Sequence, residues 1–234
     1  MHRLVIPALW IAIGCGRIGF DTPGGGTGDP DGGGSNGGDG GGSSSSGSDG
    51  GSPVCTSVVP STTFPGGIPC ANWAANQAVN NAGMSESNGT LTITPNANSP
   101  GSEGKCERNN VTIGSGGAFT EVSQVLAGSS STTRLEIVWA DDTFYVGASN
   151  NGMRAGNING GVTLSGGLVE RWWRMRPIAD QIVFETSPDG VTWNGFGTVG
   201  GVPSGTATLR VIARTPNAEA TPGVARFESV NACP

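Results

Sequence analysis

Histidine and lysine are almost missing from this sequence of 234 residues, which has one of each, His2 and Lys105. Once an N-terminal leader is removed, no histidine is left for Ser-His or Cys-His catalysis or for a His-ligated metal site. Charge is scarce as well. Only 13% of residues are charged and the net charge is −6, which argues against nucleic acid or an anionic membrane surface as the main partner. Hydrophobic residues reach only 35%, against 42 glycines and 15 prolines, so part of the length is not expected to pack. No apolar run is long enough for a spanning helix. The run Leu4 to Gly14 covers 11 residues. As a helix it would rise roughly 16 Å, about half of a hydrocarbon core.

What is present falls into three segments. Met1-His2-Arg3 is a short basic region before that apolar run, in the pattern of a secretory leader. Gly14 followed by Cys15 resembles a bacterial lipobox, although Ala12 stands where leucine is usual and Ile13 where a small residue is usual. The resemblance implies cleavage after residue 14, acylation of Cys15 and attachment to a lipid bilayer. The other reading is a plain signal peptide cut elsewhere. Gly16 is not the aspartate that retains lipoproteins in the inner membrane of enteric bacteria. The expected location is therefore the cell envelope, at the outer membrane or cell surface rather than the inner membrane. Residues 15–53 then form a linker. Its stretch 22–53 holds 15 glycines and 7 serines and no large apolar side chain, so it cannot offset its chain entropy and is expected to be a disordered tether.

Residues 54–234 change character. β-Branched and aromatic residues occur in short runs separated by turn residues, which predicts an all-β sandwich or barrel. Strands are expected over 90–94, 120–126, 134–139, 144–148, 170–176, 181–186, 207–214 and 224–230, and no helix is expected. Two hairpins can be aligned. Pairing Trp139 with Phe144 puts Leu135, Ile137 and Trp139 with Phe144, Val146 and Ala148 on a core face. Arg134, Glu136, Val138 and Tyr145 are then outside. Pairing Arg176 with Gln181 puts Trp173 and Met175 with Ile182 and Phe184 inside. Trp172, Arg174, Arg176, Val183 and Glu185 are then outside. Ser187-Pro188-Asp189-Gly190 reads as a type I turn with a bulge, and Asp189 as its amide cap.

The run Arg171-Trp172-Trp173-Arg174-Met175-Arg176, followed by Ser187-Pro188-Asp189-Gly190-Val191-Thr192-Trp193, resembles the concanavalin A-like lectin/glucanase superfamily and its laminin G-like bacterial members. The resemblance is sharp over roughly residues 168–196 and looser over the rest of 54–234. It implies a jelly-roll β-sandwich of two antiparallel sheets with the terminal strands adjacent, and it puts Trp172, Arg174 and Arg176 on a concave face. Adjacent termini imply the pairings Cys55–Cys233 and Cys70–Cys106, one of three connectivities open to four cysteines.

Hydrolysis of a glycoside needs two carboxylates at a set spacing. The Glu-x-Asp-x-x-Glu strand of the superfamily's retaining glucanases is absent. Nothing in the sequence brings Glu136 and Glu185 together, and each reads as an ion-pair partner of a nearby arginine rather than as a catalytic acid. Ser187 to Trp193 also resembles a sialidase Asp-box one residue short, but in a single copy, which does not suit a propeller. No metal site is assigned. Asp141-Asp142 is the kind of tip that ligates calcium with backbone carbonyls, and also the kind that simply forms a turn. Sugars are recognised by aromatic faces rimmed with charged and amide side chains, and Trp172, Arg174, Arg176, Gln181 and Glu185 are the candidate ligand-binding set. The expected function is non-catalytic carbohydrate binding by a membrane-anchored lipoprotein, with a glycan as partner. The alternatives are a glycoside hydrolase or lyase with an unrecognised carboxylate pair, or an adhesion module that binds protein.

Overall fold

The computed structural model describes residues 62–231 apart from 141, 151, 168 and 203. Cys15, Cys55 and Cys233, with the leader and the linker, lie outside the described residues. In chain order the strands are β1 (Thr62–Thr63), β2 (Ala75–Val79), β3 (Gly83–Ser87), β4 (Thr90–Thr94) and β5 (Ser102–Val111). They continue with β6 (Ala118–Gln124), β7 (Thr132–Trp139), β8 (Asp142–Ser149), β9 (Gly152–Asn157) and β10 (Val162–Gly166). The last five are β11 (Trp172–Ile178), β12 (Gln181–Ser187), β13 (Asn194–Gly200), β14 (Ala207–Thr215) and β15 (Ala225–Val230).

They form two antiparallel sheets. The eight-stranded sheet runs β13-β12-β11-β6-β15-β4-β3, with β1 paired to the end of β15, and the seven-stranded sheet runs β10-β9-β8-β7-β14-β5-β2. Thr62 is opposite Val230, so the first and last described strands are neighbours, as the jelly-roll resemblance implies. The layers meet through alternate side chains. Leu135, Ile137, Phe144 and Val146 from one sheet and Trp173, Met175, Ile182 and Phe184 from the other are fully buried in one core. Burying such side chains is worth roughly 1.5–3 kcal/mol each. The outward faces are left to residues of opposite parity. Cys70 and Cys106 are joined by a disulfide with Cα atoms 5.8 Å apart, which ties the segment before β2 to β5.

Both expected hairpin registers need correction. Ile137, not Trp139, lies opposite Phe144, and Trp139 pairs with Asp142. Likewise Arg176 lies opposite Val183, and Ile178 pairs with Gln181. Each loop is two residues long where four were expected, and each has an alanine at positive φ, Ala140 at 44° and Ala179 at 53°. Glycine or asparagine is the usual signal for such a turn, and neither is there. A slip of two residues preserves side-chain parity, so every core and outward assignment in the two hairpins stands.

Candidate functional site

The eight-stranded sheet carries the set proposed from sequence. On β11 the core takes Trp173 and Met175, which leaves Trp172, Arg174 and Arg176 outward, and β12 presents Gln181, Val183 and Glu185 beside them. Glu185 lies opposite Arg174 across the ladder. Its carboxylate accepts from Arg174 Nε at 2.6 Å and from Arg176 Nε and Nη2 at 2.8 and 2.9 Å. Burial alone would raise the Glu185 pKa, but the hydrogen bonds from Arg176 and Arg174 outweigh it and hold the carboxyl below its usual range. Arg174 is also lowered, first by burial and then by the charge of Arg176, with Glu185 opposing both. The pairing thus favours the carboxylate, while Arg174 bears the cost of desolvation.

The Arg174 end of the cluster is closed from above. After the Ser187 turn, Trp193 returns over the face. The Arg174 guanidinium carbon sits 4.0 Å from the Trp193 ring centre, and Phe119 of β6 meets the same indole edge-on at 6.4 Å. Trp172 retains 5% exposure, too little to offer a ring face to a sugar. Gln181 is exposed at the far end of β12. The structure therefore gathers Arg174, Arg176 and Glu185 into one ion-paired unit, with Trp172 covered and Gln181 apart from it.

The turn below has the capping geometry expected. Asp189 accepts from the Val191 and Thr192 amides at 2.9 and 2.7 Å and from the Ser187 hydroxyl at 2.9 Å. These bonds, the Thr192 amide foremost, lower its pKa to about 2. Gly190 sits at φ 76°, as the turn type requires. Asp142 accepts from Asn157 Nδ2 at 3.0 Å, which ties the β8 and β9 ends together, and Asp141 lies outside the described residues. Among the described residues no group of three or more metal-ligating side chains occurs.

The outward face of the seven-stranded sheet was not singled out from sequence. Its register defines rows that cross the strands. One row runs Thr163, Gly156, Tyr145, Glu136, Arg210 and Glu107 from β10 to β5. The next runs Ser165, Arg154, Gly147, Arg134, Ile212 and Lys105 along the same strands. In a third, Arg214 lies between Thr132 and Glu103. Arg134 lies over the Tyr145 ring at 4.4 Å and 3.5 Å from Glu136. Gly147 is a space requirement, because a Cβ there would collide with the Thr133 carbonyl and with Arg134. Glu107 takes Arg210 at 2.7 Å and Lys105 at 3.2 Å. Among the described residues, Arg154 and Arg214 have no ion-pair partner. Glu136 and Glu185 are thus on outward faces of different sheets and cannot flank one glycosidic bond. The signal available in the sequence was Leu209 to Arg214, whose alternation sends Arg210 and Arg214 outward together.

No protein-family model matches the sequence, and no curated protein matches it either. Solved structures do. The laminarinase catalytic domain from Thermotoga maritima MSB8 superposes with a TM-score of 0.51 at 10% identity, over 74% of this chain and 94% of that one. A GlcNAcα1-4Gal-releasing endo-β-galactosidase from Clostridium perfringens gives 0.46 at 11% identity, over 64% of this chain and 52% of that one, so the match spans about half of that enzyme's length. At such identities the shared feature is architecture and not activity. The two antiparallel sheets, their adjacent terminal strands and the laminarinase superposition together show that this chain has the concanavalin A-like jelly-roll fold.

Proposed function

We propose that the chain is a cell-envelope lipoprotein that holds a non-catalytic carbohydrate-binding domain away from the membrane on its glycine-rich tether. The binding face in this reading is the outward side of the seven-stranded sheet. The observation that carries it is the row arrangement there, which lines up guanidinium, carboxylate and hydroxyl groups across neighbouring strands, while among the described residues Arg154 and Arg214 have no ion-pair partner. Tyr145 is covered by Arg134 and offers no stacking face, so recognition would be by hydrogen bonds to hydroxyls around a pre-oriented guanidinium. Binding is favoured over hydrolysis because Glu136 and Glu107 on this face are each held by a basic side chain, and Glu185 on the other sheet is kept below its usual range by two arginines, whereas a general acid needs a raised pKa. The fold shared with a laminarinase domain is consistent with a saccharide ligand.

A glycan array probed with the full chain tests the reading, alongside reducing-sugar release from the same polysaccharides. Saccharide binding without sugar release is expected. Release that disappears in Glu185→Gln would replace the binding reading with an enzymatic one, and an array with no bound saccharide would remove it. The anchor is tested separately. Cys15→Ser should abolish labelling with a palmitate analogue and free the protein from the membrane fraction; continued labelling would place the lipid elsewhere.

A further inference from the structure

The charges on the seven-stranded face do not balance, and the imbalance is local. Arg134 and Arg214 come from adjacent strands, β7 and β14, and stand diagonally on the same side, since Arg134 is opposite Ile212 and Arg214 is opposite Thr132. Diagonal neighbours in a sheet are about 7–8 Å apart at Cα, within reach of two arginine side chains. They sense one another. The Arg134 pKa is lowered first by burial and next by the Arg214 charge, with Glu136 opposing.

Among the described residues, the carboxylates beside them on this face are already placed. Glu136 faces Arg134, and Glu107 is shared by Lys105 and Arg210. Glu103 is the register partner of Arg214, yet its carboxylate turns to Lys105 at 3.8 Å. Arg214 is left half-buried, its Nε shielded from solvent and without a hydrogen-bond partner among the described residues. A buried N–H donor without an acceptor is costly and calls for one. Across the gap made by Gly147, Arg154 adds a third, exposed cation in the Arg134 row, two strands or roughly 10 Å away.

We propose that Arg214, Arg134 and Arg154 form an oxyanion subsite on this face, which takes the carboxylate or sulfate group of an acidic polysaccharide. The inference rests on the reading of this face as the glycan-binding one and names its substrate class. Guanidinium forks suit either oxyanion through paired N–H donors, which a neutral sugar cannot match. The protein's overall charge of −6 makes the selection local, because the molecule as a whole repels polyanions.

The experiment is affinity electrophoresis of the full chain in gels containing heparin (sulfated), polygalacturonate (carboxylate only) or laminarin (neutral). Retardation by one or both acidic polymers and not by laminarin is expected, and the stronger of the two identifies the oxyanion. Arg214→Gln should weaken that binding by about ten- to a hundredfold. Arg154→Gln lies on the surface, keeps the fold whatever Arg214→Gln does, and should weaken it several-fold. Arg226→Gln, exposed on the other sheet, should leave it unchanged. Equal retardation by laminarin and the acidic polymers would overturn the oxyanion subsite while sparing the glycan-binding reading. Wild-type affinity in Arg154→Gln together with a folded Arg214→Gln would overturn it too. No retardation in any gel would overturn both.

Discussion

Glu185→Gln isolates the buried ion-pair cluster, because it keeps side-chain volume and one acceptor oxygen while removing the charge. In the wild type the Glu185 side chain is 6% exposed and Arg174 13%, so loss of the carboxylate charge strands a desolvated guanidinium. Removing one partner of such a pair costs about 3–5 kcal/mol. The Arg176 arm counts for less, since that side chain is 33% exposed and water screens it. The amide oxygen also retains part of the Arg174 bond. A loss of about 3 kcal/mol at pH 7 follows, equivalent to roughly 6–12 °C in Tm for a domain of this size. The pH dependence has a definite sign. The Glu185 pKa is depressed in the folded state, so its contribution is complete above the unfolded value near 4.5 and disappears as pH falls through the folded value. Urea unfolding of both proteins at pH 7, 5, 4 and 3 should show a gap that is constant down to about pH 5 and narrows below 4.5. A gap under 0.5 kcal/mol at pH 7, or one that does not narrow in acid, would refute the coupling of this cluster to stability.

Other consequences are simpler to test. Cys70→Ala with Cys106→Ala opens a loop of 36 residues and should cost about 4 kcal/mol on loop entropy, read as a lower urea midpoint matched by the wild type in reductant. Ala179 occupies φ 53° in a two-residue turn, so Ala179→Gly should raise stability by about 1 kcal/mol; a fall would show that the alanine is unstrained there. The Asp189 carboxyl should titrate near 2 in a carbon-13 NMR series, and the Val191 and Thr192 amide resonances should move with it as the cap is lost on protonation.

Alternation was the readable part of this sequence, and it reached further than register did. Placing Trp173, Met175, Ile182 and Phe184 inside and Arg174, Arg176 and Glu185 outside required only a period of two. The loop lengths required a turn signal, and the alanines at 140 and 179 conceal it. Strands β2, β3, β5, β9 and β13 escaped detection because small and polar residues outnumber β-branched and aromatic ones in them, and β1 and β10 because their β-forming runs are only two and three residues long. Gly104 shows the cause, as a Cβ there would come within 2.5 Å of Ile93. The core demands the smallest residue at that strand position, and propensity reads it as a break.

Parity assigns a side chain to a face but does not say what covers it or balances its charge. Trp172 points outward as alternation requires, and is still buried. Trp193, which closes the Arg174 part of the same face, is brought back by a turn whose own signal was legible. Arg134, Arg154, Arg214 and Lys105 sit on four strands, and only the insertion of β14 between β7 and β5 makes one surface of them. That long-range pairing decides which sheet is self-sufficient. On the eight-stranded face a short hairpin returns Glu185 to Arg174 and Arg176, so both guanidiniums have a carboxylate acceptor before any ligand arrives. On the seven-stranded face the carboxylate opposite Arg214 is drawn to Lys105, and the guanidinium left over is the feature a ligand would complete.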